Sequence, residues 1–305
     1  YLQKDGTART GWFTVGTDLY YGEPETTESL IVKGTLAKGA KEIEGETYCY
    51  ALFRYNAYLF GKLGEEDQGW GTIEAPNWSA INSYWTQIDS DITAFKNNSI
   101  TEDEFKKKYP IGGRMLIPVV VDGTEYNADV EIIEYSHDNL ADGSGKAVLT
   151  FMCKNLPGFR KPMYGSSVDN AGWEHSTMRE FCNGELFNIF PTELQTIIEP
   201  VLKISDGGEV NRALVTTTDK CWLASYPEVG FASISEVLPG QGEVYASTYS
   251  TNKNSRVKYL PDGYTPYGWW LRSSSYSLTS DSALFCRVQA SGILYGDIET
   301  NKYAV

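Results

Sequence analysis

The stretch that decides the fold is the last one, Gly268–Val305, which reads GWWLRSSSYSLTSDSALFCRVQASGILYGDIETNKYAV. Its apolar and β-branched runs predict strands over Trp269–Arg272 and Leu284–Gln289, with a last one near Tyr303–Val305. Trp269, Trp270, Leu271, Phe285, Cys286 and Val288 then form a scaffold. Arg272, set against that core, is expected to hydrogen-bond loop carbonyls. Between the strands Ser, Gly, Thr and Asp alternate with Tyr276, Leu278, Ile293, Leu294, Tyr295 and Ile298. If these side chains are exposed, they make a mixed aromatic, apolar and polar patch on a rigid support, the chemistry of a paratope.

Upstream, short strands separated by Gly, Ser and Asn continue at Ala213–Thr217 and Cys221–Ala224. Two helices precede them: Trp173–Cys182, which Gly184 is expected to end, and Pro191–Val201, with proline in its first turn. Further back, Ala147–Cys153 reads as a strand. Met115–Val121 and Asn127–Tyr135 flank Asp122-Gly123, a hairpin signal. The pattern from Ile111 onward is α+β.

Residues 77–109 read as helical. Trp78, Ile81, Trp85, Ile88, Ile92 and Phe95 follow one another at spacings of three and four, giving one apolar stripe. Thr101–Glu104 is a capping-box signature for a second short helix, and Pro110 stops it. The stripe is too short for a stable coiled coil and is expected to pack on the neighbouring domain. Residues 1–64 are Gly- and Tyr-rich, with hairpin patterns at Gly11–Tyr21 and Gly39–Tyr50. The division expected is a hairpin-rich region 1–70, a helical segment 71–110 and a larger domain 111–305.

The 305 residues carry a net charge of −14. An acidic chain without long basic runs disfavours duplex nucleic acid and anionic membrane as partners. The longest apolar run, around Met115–Val121, is too short to span a bilayer and contains Pro118. The chain begins at Tyr1 and ends at Val305, and reads as a fragment of a longer protein. Its 21 Tyr and 8 Trp lean toward recognition.

Dedicated catalytic chemistry does not stand out. The five cysteines are widely separated and form no CxxC, which favours free thiols over a disulfide framework or zinc knuckle. There are two histidines, His137 and His175. The loop holding His137, Asp138 and Asp142 lacks calcium-loop spacing, and an Asx-stabilised turn is the simpler reading. No catalytic residue, metal ligand or cofactor is assigned from the sequence.

Several ordered stretches carry a resemblance. They are Ile132–Phe151 (IIEYSHDNLADGSGKAVLTF), Asn170–Phe181 (NAGWEHSTMREF), Phe190–Val201 (FPTELQTIIEPV), Thr216–Ser225 (TTTDKCWLAS) and the Gly268–Val305 segment. Together, over roughly residues 110–305, they resemble a domain of unknown function found in gut bacterial and phage proteins, whose signature is a WLRSP segment followed by FC.V. Here Ser274 stands where that signature has proline. The resemblance implies a C-type-lectin-like fold, shared with formylglycine-generating enzymes and with the variable proteins of diversity-generating retroelements. Two helices would pack on a twisted antiparallel sheet, and long C-terminal loops would display a ligand surface.

The retroelement branch randomises template adenines, typically at Asn codons, and never yields Glu, Gln, Lys, Met or Trp there. Within 273–300 only Gln289 and Glu299 belong to that set. The expected ligand-binding positions are therefore Ser275, Tyr276, Leu278, Thr279, Asp281, Ser282, Arg287, Gln289, Ile293, Leu294, Tyr295, Asp297, Ile298 and Glu299. The function implied is non-enzymatic recognition of a protein or glycan on a cell surface. The chain would sit on a phage tail or bacterial surface, open to homo-oligomerisation, without membrane insertion. The alternatives are a structural virion or cell-wall component whose Gly11–Tyr50 hairpins dock to wall polymer, and a formylglycine-type enzyme using Cys182 or Cys286.

Overall fold

A computed structural model describes residues 11–15, 18–22, 39–43, 46–53, 56–63, 78–121, 124–153, 158–165, 172–208, 211–231, 237–245, 253–260, 265–275, 284–298 and 303–304. The chain divides into two compact units. The first is Tyr1–Tyr84 with Asp262–Tyr264, and the second is Trp85–Pro261 with Thr265–Val305.

In the first unit, β1 (Gly11–Val15) and β2 (Asp18–Gly22) form an antiparallel hairpin that pairs Trp12 with Tyr21 and Phe13 with Tyr20. A second antiparallel sheet orders β3 (Gly39–Ile43), β4 (Glu46–Phe53) and β5 (Asn56–Leu63) consecutively. The sequence signalled β3 and β4. It did not signal β5, where Gly61 interrupts the apolar alternation.

The division between units falls within α1 (Trp78–Lys96). Its stripe buries Trp85 and Ile88, and Trp85 meets Phe151 edge-on at 5.5 Å. Phe95 stacks on Phe105 of α2 (Glu102–Lys108) at 4.8 Å. The capping box is present: Glu104 N–H donates to Thr101 Oγ1, and Thr101 N–H donates to Glu104 Oε2. From Trp85 onward the helical segment belongs to the same compact unit as the residues after it.

A meander of β6 (Arg114–Val121), β7 (Thr124–Tyr135) and β8 (Leu149–Cys153) follows. Met115, Ile117 and Val119 alternate inward beside Ala128 and Val130. Pro118 is tolerated because β6 is an edge strand. A bulge in β7 between Ile132 and Glu134 lets consecutive Ile132 and Ile133 both be buried.

After β9 (Arg160–Lys161) comes a composite helix: a 3₁₀ turn at Trp173–His175, α3 (Thr177–Phe181) and a π-helical turn at Cys182–Leu186. Gly184 lies inside this run and does not end it, contrary to the sequence reading. The next helix, α4, covers Thr192–Ile197 and stops short of Val201. Pro200 biases its predecessor toward extended backbone, and Ile198 is already extended. Val201 instead opens β10 (Val201–Gly207), paired antiparallel with β11 (Asn211–Asp219).

Cys221–Ala224 is not a strand. Its backbone is satisfied from elsewhere. Asn183 accepts from the N–H groups of Lys220 and Cys221 and donates to the Cys221 carbonyl. The Arg272 backbone N–H donates to the Ala224 carbonyl.

The remaining elements are a 3₁₀ turn at Lys253–Arg256, β12 (Lys258–Tyr259), β13 (Pro266–Tyr267), β14 (Trp269–Ser275), β15 (Leu284–Val288), β16 (Leu294–Ile298) and β17 (Tyr303–Ala304). Five strands form one sheet in the order β16-β15-β14-β17-β9. This sheet is mixed, because β17 runs parallel to β14, which corrects the all-antiparallel expectation. Apolar cores cover both faces. Trp269, Leu271, Cys286 and Val288 join Ile133 and Tyr226 in one, and Trp270 and Phe285 join Met163, Trp173 and Phe181 in the other. Two-sided burial explains the nearly continuous apolar runs of β14 and β15. The architecture is α+β.

Candidate recognition surface

β14 is pinned by polar contacts. Its pairing with β15 is interrupted between Trp270 and Ser274, and the displaced residues find other partners. Ser273 Oγ accepts from Tyr226 N–H at 2.9 Å, and Ser274 N–H donates to the buried Asp206 carboxylate at 3.0 Å. Arg272 is fully buried. Its guanidinium donates to the carbonyls of Leu223, Ile204 and Gln241 and to both oxygens of Glu228. The carbonyl bonds are those expected from the sequence. The ion pair is new.

Glu228 also accepts from Lys203 at 2.7 Å, and Lys203 donates to Asp138 at 2.6 Å and to the Tyr245 hydroxyl at 3.0 Å. Two cations and two anions therefore balance in the interior. Burial disfavours charge on Glu228, but Arg272 and Lys203 outweigh it and hold its carboxyl down at about 2. Asp138 is likewise held well below the usual range by His137 and Lys203 against the cost of burial. Its carboxylate is committed inward, while Asp142 caps a turn by accepting from Ser144 N–H at 2.9 Å. The His137–Asp142 loop thus uses its two carboxylates separately, and the Asx turn is present. Among the described residues no group of three or more His, Cys, Asp or Glu is arranged to hold a metal ion.

On this support lies a row of rings and guanidinium groups that crosses the sheet. Arg160 on β9 covers the Tyr267 ring at 4.6 Å. The Tyr267 and Tyr303 ring centres are 6.5 Å apart. Arg287 on β15 lies over Tyr303 at 4.2 Å and over Tyr295 on β16 at 5.1 Å. Arg287 and Tyr295 are direct cross-strand partners, so they share a face. Beneath them Trp270 meets Tyr303 edge-on at 5.0 Å. Tyr295 is 51% exposed, and Ile293 beside it 48%. Gly268 makes room for this row. A Cβ there would sit 3.2 Å from Arg287 Nη1 and 3.3 Å from the Tyr303 ring.

The residues that carry this surface fall within the stretch matched by one protein family, residues 147–305, described as a domain of unknown function, DUF6273. The chain belongs to that family. No curated protein and no solved structure matches it.

The DUF6273 domain brings together some of the expected positions and separates others. Arg287, Ile293 and Tyr295 cluster, with half-buried Gln289 closing the β15–β16 turn through its N–H to Ile293 O. Leu294 is half-buried and packs against the core. Ser275 lies half-buried where β14 ends, next to Leu284 and Ile298 in register. That is the opposite end of the hairpin, about 13 Å along the strands. Asp297 lies on β16 with Ile298. Tyr276, Leu278, Thr279, Asp281, Ser282 and Glu299 lie outside the described residues. Ser273 and Ser274, the first two of the 273–300 window, are fully buried and belong to the scaffold.

Sequence reasoning missed Arg160, Tyr267 and Tyr303. They come from separate short strands, so no local pattern linked them. Cys182 and Cys286 are buried, and loss of solvation pushes both thiols up, which disfavours the nucleophilic thiolate. Among the described residues no helix is long and apolar enough to cross a membrane.

Proposed function

We propose that the DUF6273 domain is a recognition module that binds a protein or glycan on a cell surface through the Arg160–Tyr267–Tyr303–Arg287–Tyr295 row. The row itself carries the reading. Tyr and Arg are the residue types in which binding hot spots concentrate, and here two Arg and three Tyr adjoin one another along the sheet with partly exposed rings. A planar guanidinium between rings loses little freedom on binding, and Tyr rings suit both peptide and sugar faces.

In the finer reading, the fold is C-type-lectin-like and the chain is a retroelement-diversified variable protein of a phage tail or bacterial surface. It is supported by the polar composition of 275–300 and by the burial of the scaffold residues that flank it. On this reading Arg287, Gln289, Ile293 and Tyr295, together with Tyr276, Leu278, Thr279, Asp281 and Ser282 outside the described residues, are among the exchangeable positions. A reverse transcriptase gene and an adenine-differing template repeat beside this gene would support it, and their absence would remove the diversification.

The direct test is capture of intact bacterial cells and of a glycan panel by the immobilised full chain. Replacing Arg287, Ile293 and Tyr295 together by Ala or Ser should abolish capture while leaving the thermal midpoint within a few degrees. Undiminished capture by the folded variant would refute the assignment.

A further inference from the structure

A second feature of the large unit is an apolar cavity of about 280 Å³ walled by side chains of α1, the β6–β8 meander, the Cys182–Leu186 turn, α4, the 220–224 segment and β14. Trp85, Ile88, Val130 and Leu194 are among its buried walls. Its lining includes half-buried Ile92, Phe190 and Ile197, so one side opens toward solvent. Apolar walls left facing water are unfavourable, and an apolar group that covers them gains free energy in proportion to the area removed from water. Cys153 and Cys221 fit the picture. Surrounding protein raises both thiols, Cys221 to about 12, yet each side chain keeps accessible surface, and both line the cavity.

Three charged residues at the lining give the occupant a polarity, and one of them, Lys258, is buried, donates to the Cys153 carbonyl and lies over the Trp269 ring at 5.2 Å. Glu199 is answered by Lys96 at 3.6 Å. Lys220 lies 4.5 Å over the Phe187 ring and has no carboxylate partner among the described residues. We propose that this cavity is a binding site for an unbranched alkyl chain with an anionic head group, the chain against Trp85 and Leu194 and the head at Lys220. None of the five residues of the Arg–Tyr row lines this site, which shares with the row only the Trp270 that lies beneath Tyr303.

Four tryptophans, Trp85, Trp222, Trp269 and Trp270, line the cavity, so a heavy-atom quencher on the chain reports entry. The full chain is titrated with ω-bromo-decanoate and, separately, with ω-bromo-decanol, and tryptophan fluorescence is followed. Saturable quenching is expected with both. The folded cavity-filling variants Cys221→Phe and Cys153→Phe should weaken it by about tenfold or more. Lys220→Glu should weaken the carboxylate by about tenfold and leave the alcohol unchanged. Absence of saturable quenching, or quenching undiminished in a folded filling variant, overturns the site. Equal effects of Lys220→Glu on both probes overturn the head-group assignment. Either filling variant suffices if the other does not fold, as judged by a cooperative melt.

Discussion

Both carboxylate oxygens of Glu228 are gripped by the guanidinium of Arg272, Oε2 by Nη1 at 2.6 Å and Oε1 by Nη2 at 2.8 Å, in a fully buried setting. The pair ties the central strand β14 to the 221–231 segment. Lys203 extends the tie to β10 and, through Asp138, to the 136–148 loop. The sheet that carries the Arg287–Tyr295 contact is built around this strand.

Removing one partner from such a pair leaves buried charge unanswered. Glu228→Gln should destabilise the protein by about 3–5 kcal/mol. Arg272→Lys should do nearly as much, because an ammonium cannot reach two carboxylate oxygens and three carbonyls at once. Equilibrium urea unfolding, read as a midpoint shift at constant slope, checks both.

The same carboxylates set the response to acid. The folded Glu228 pKa lies below its ordinary 4.5, and Asp138 below its ordinary 3.8. A depressed carboxylate contributes stability that is present above the unfolded value and lost as pH falls through the folded one. Thermal midpoints should therefore drop steeply as pH falls from about 4.5 toward 2. In Glu228→Gln that acid-side slope should be shallower.

Gly292 fixes the β15–β16 turn. Its φ is +78°, and an added Cβ would lie 1.9 Å from the Lys253 carbonyl oxygen. Gly292→Ala should thus cost about 1–3 kcal/mol or more and disturb Ile293 and Tyr295. Gly268→Ala meets tight but not overlapping contacts at Arg287, Tyr303 and the Val288 carbonyl, at 3.2–3.3 Å, so it should cost less stability than Gly292→Ala while still weakening capture of ligand. Comparing the two variants in melting and capture separates support from surface.

How much of this was legible in the sequence depends on how each element buries itself. β14 and β15 announced themselves because both faces are apolar. β10 did not, because its alternation is inverted: Lys203 and Ser205 point inward to the polar frame while Leu202 and Ile204 face out. β16 was hidden by Gly296 and Asp297, which interrupt its apolar pattern. The helix at Trp173 runs on through Gly184 as a π turn, which no propensity argument anticipates. Of the candidate surface, Arg287, Ile293 and Tyr295 were readable because they lie together in a polar stretch. Arg160, Tyr267 and Tyr303 become neighbours only when β9, β13 and β17 are in place.

The thiols supply an independent check on the enzyme alternative. Cys182 and Cys286 are buried and held protonated. A charged alkylating reagent at pH 8 should leave both unmodified in the native protein and modify both in denaturant, by mass spectrometry of digests. Rapid native modification of either would reopen a thiol-based chemistry.

The measurement that bears most directly on the account is a substitution library of the full chain at Arg287, Gln289, Ile293 and Tyr295, set beside one at Trp270, Arg272, Phe285 and Cys286, with protease resistance and cell-surface capture read for every member. The outward set should stay protease-resistant across most substitutions while capture is lost or redirected, and the inward set should lose resistance first. Outward variants that unfold, or that fold and capture as the parent does, would contradict it.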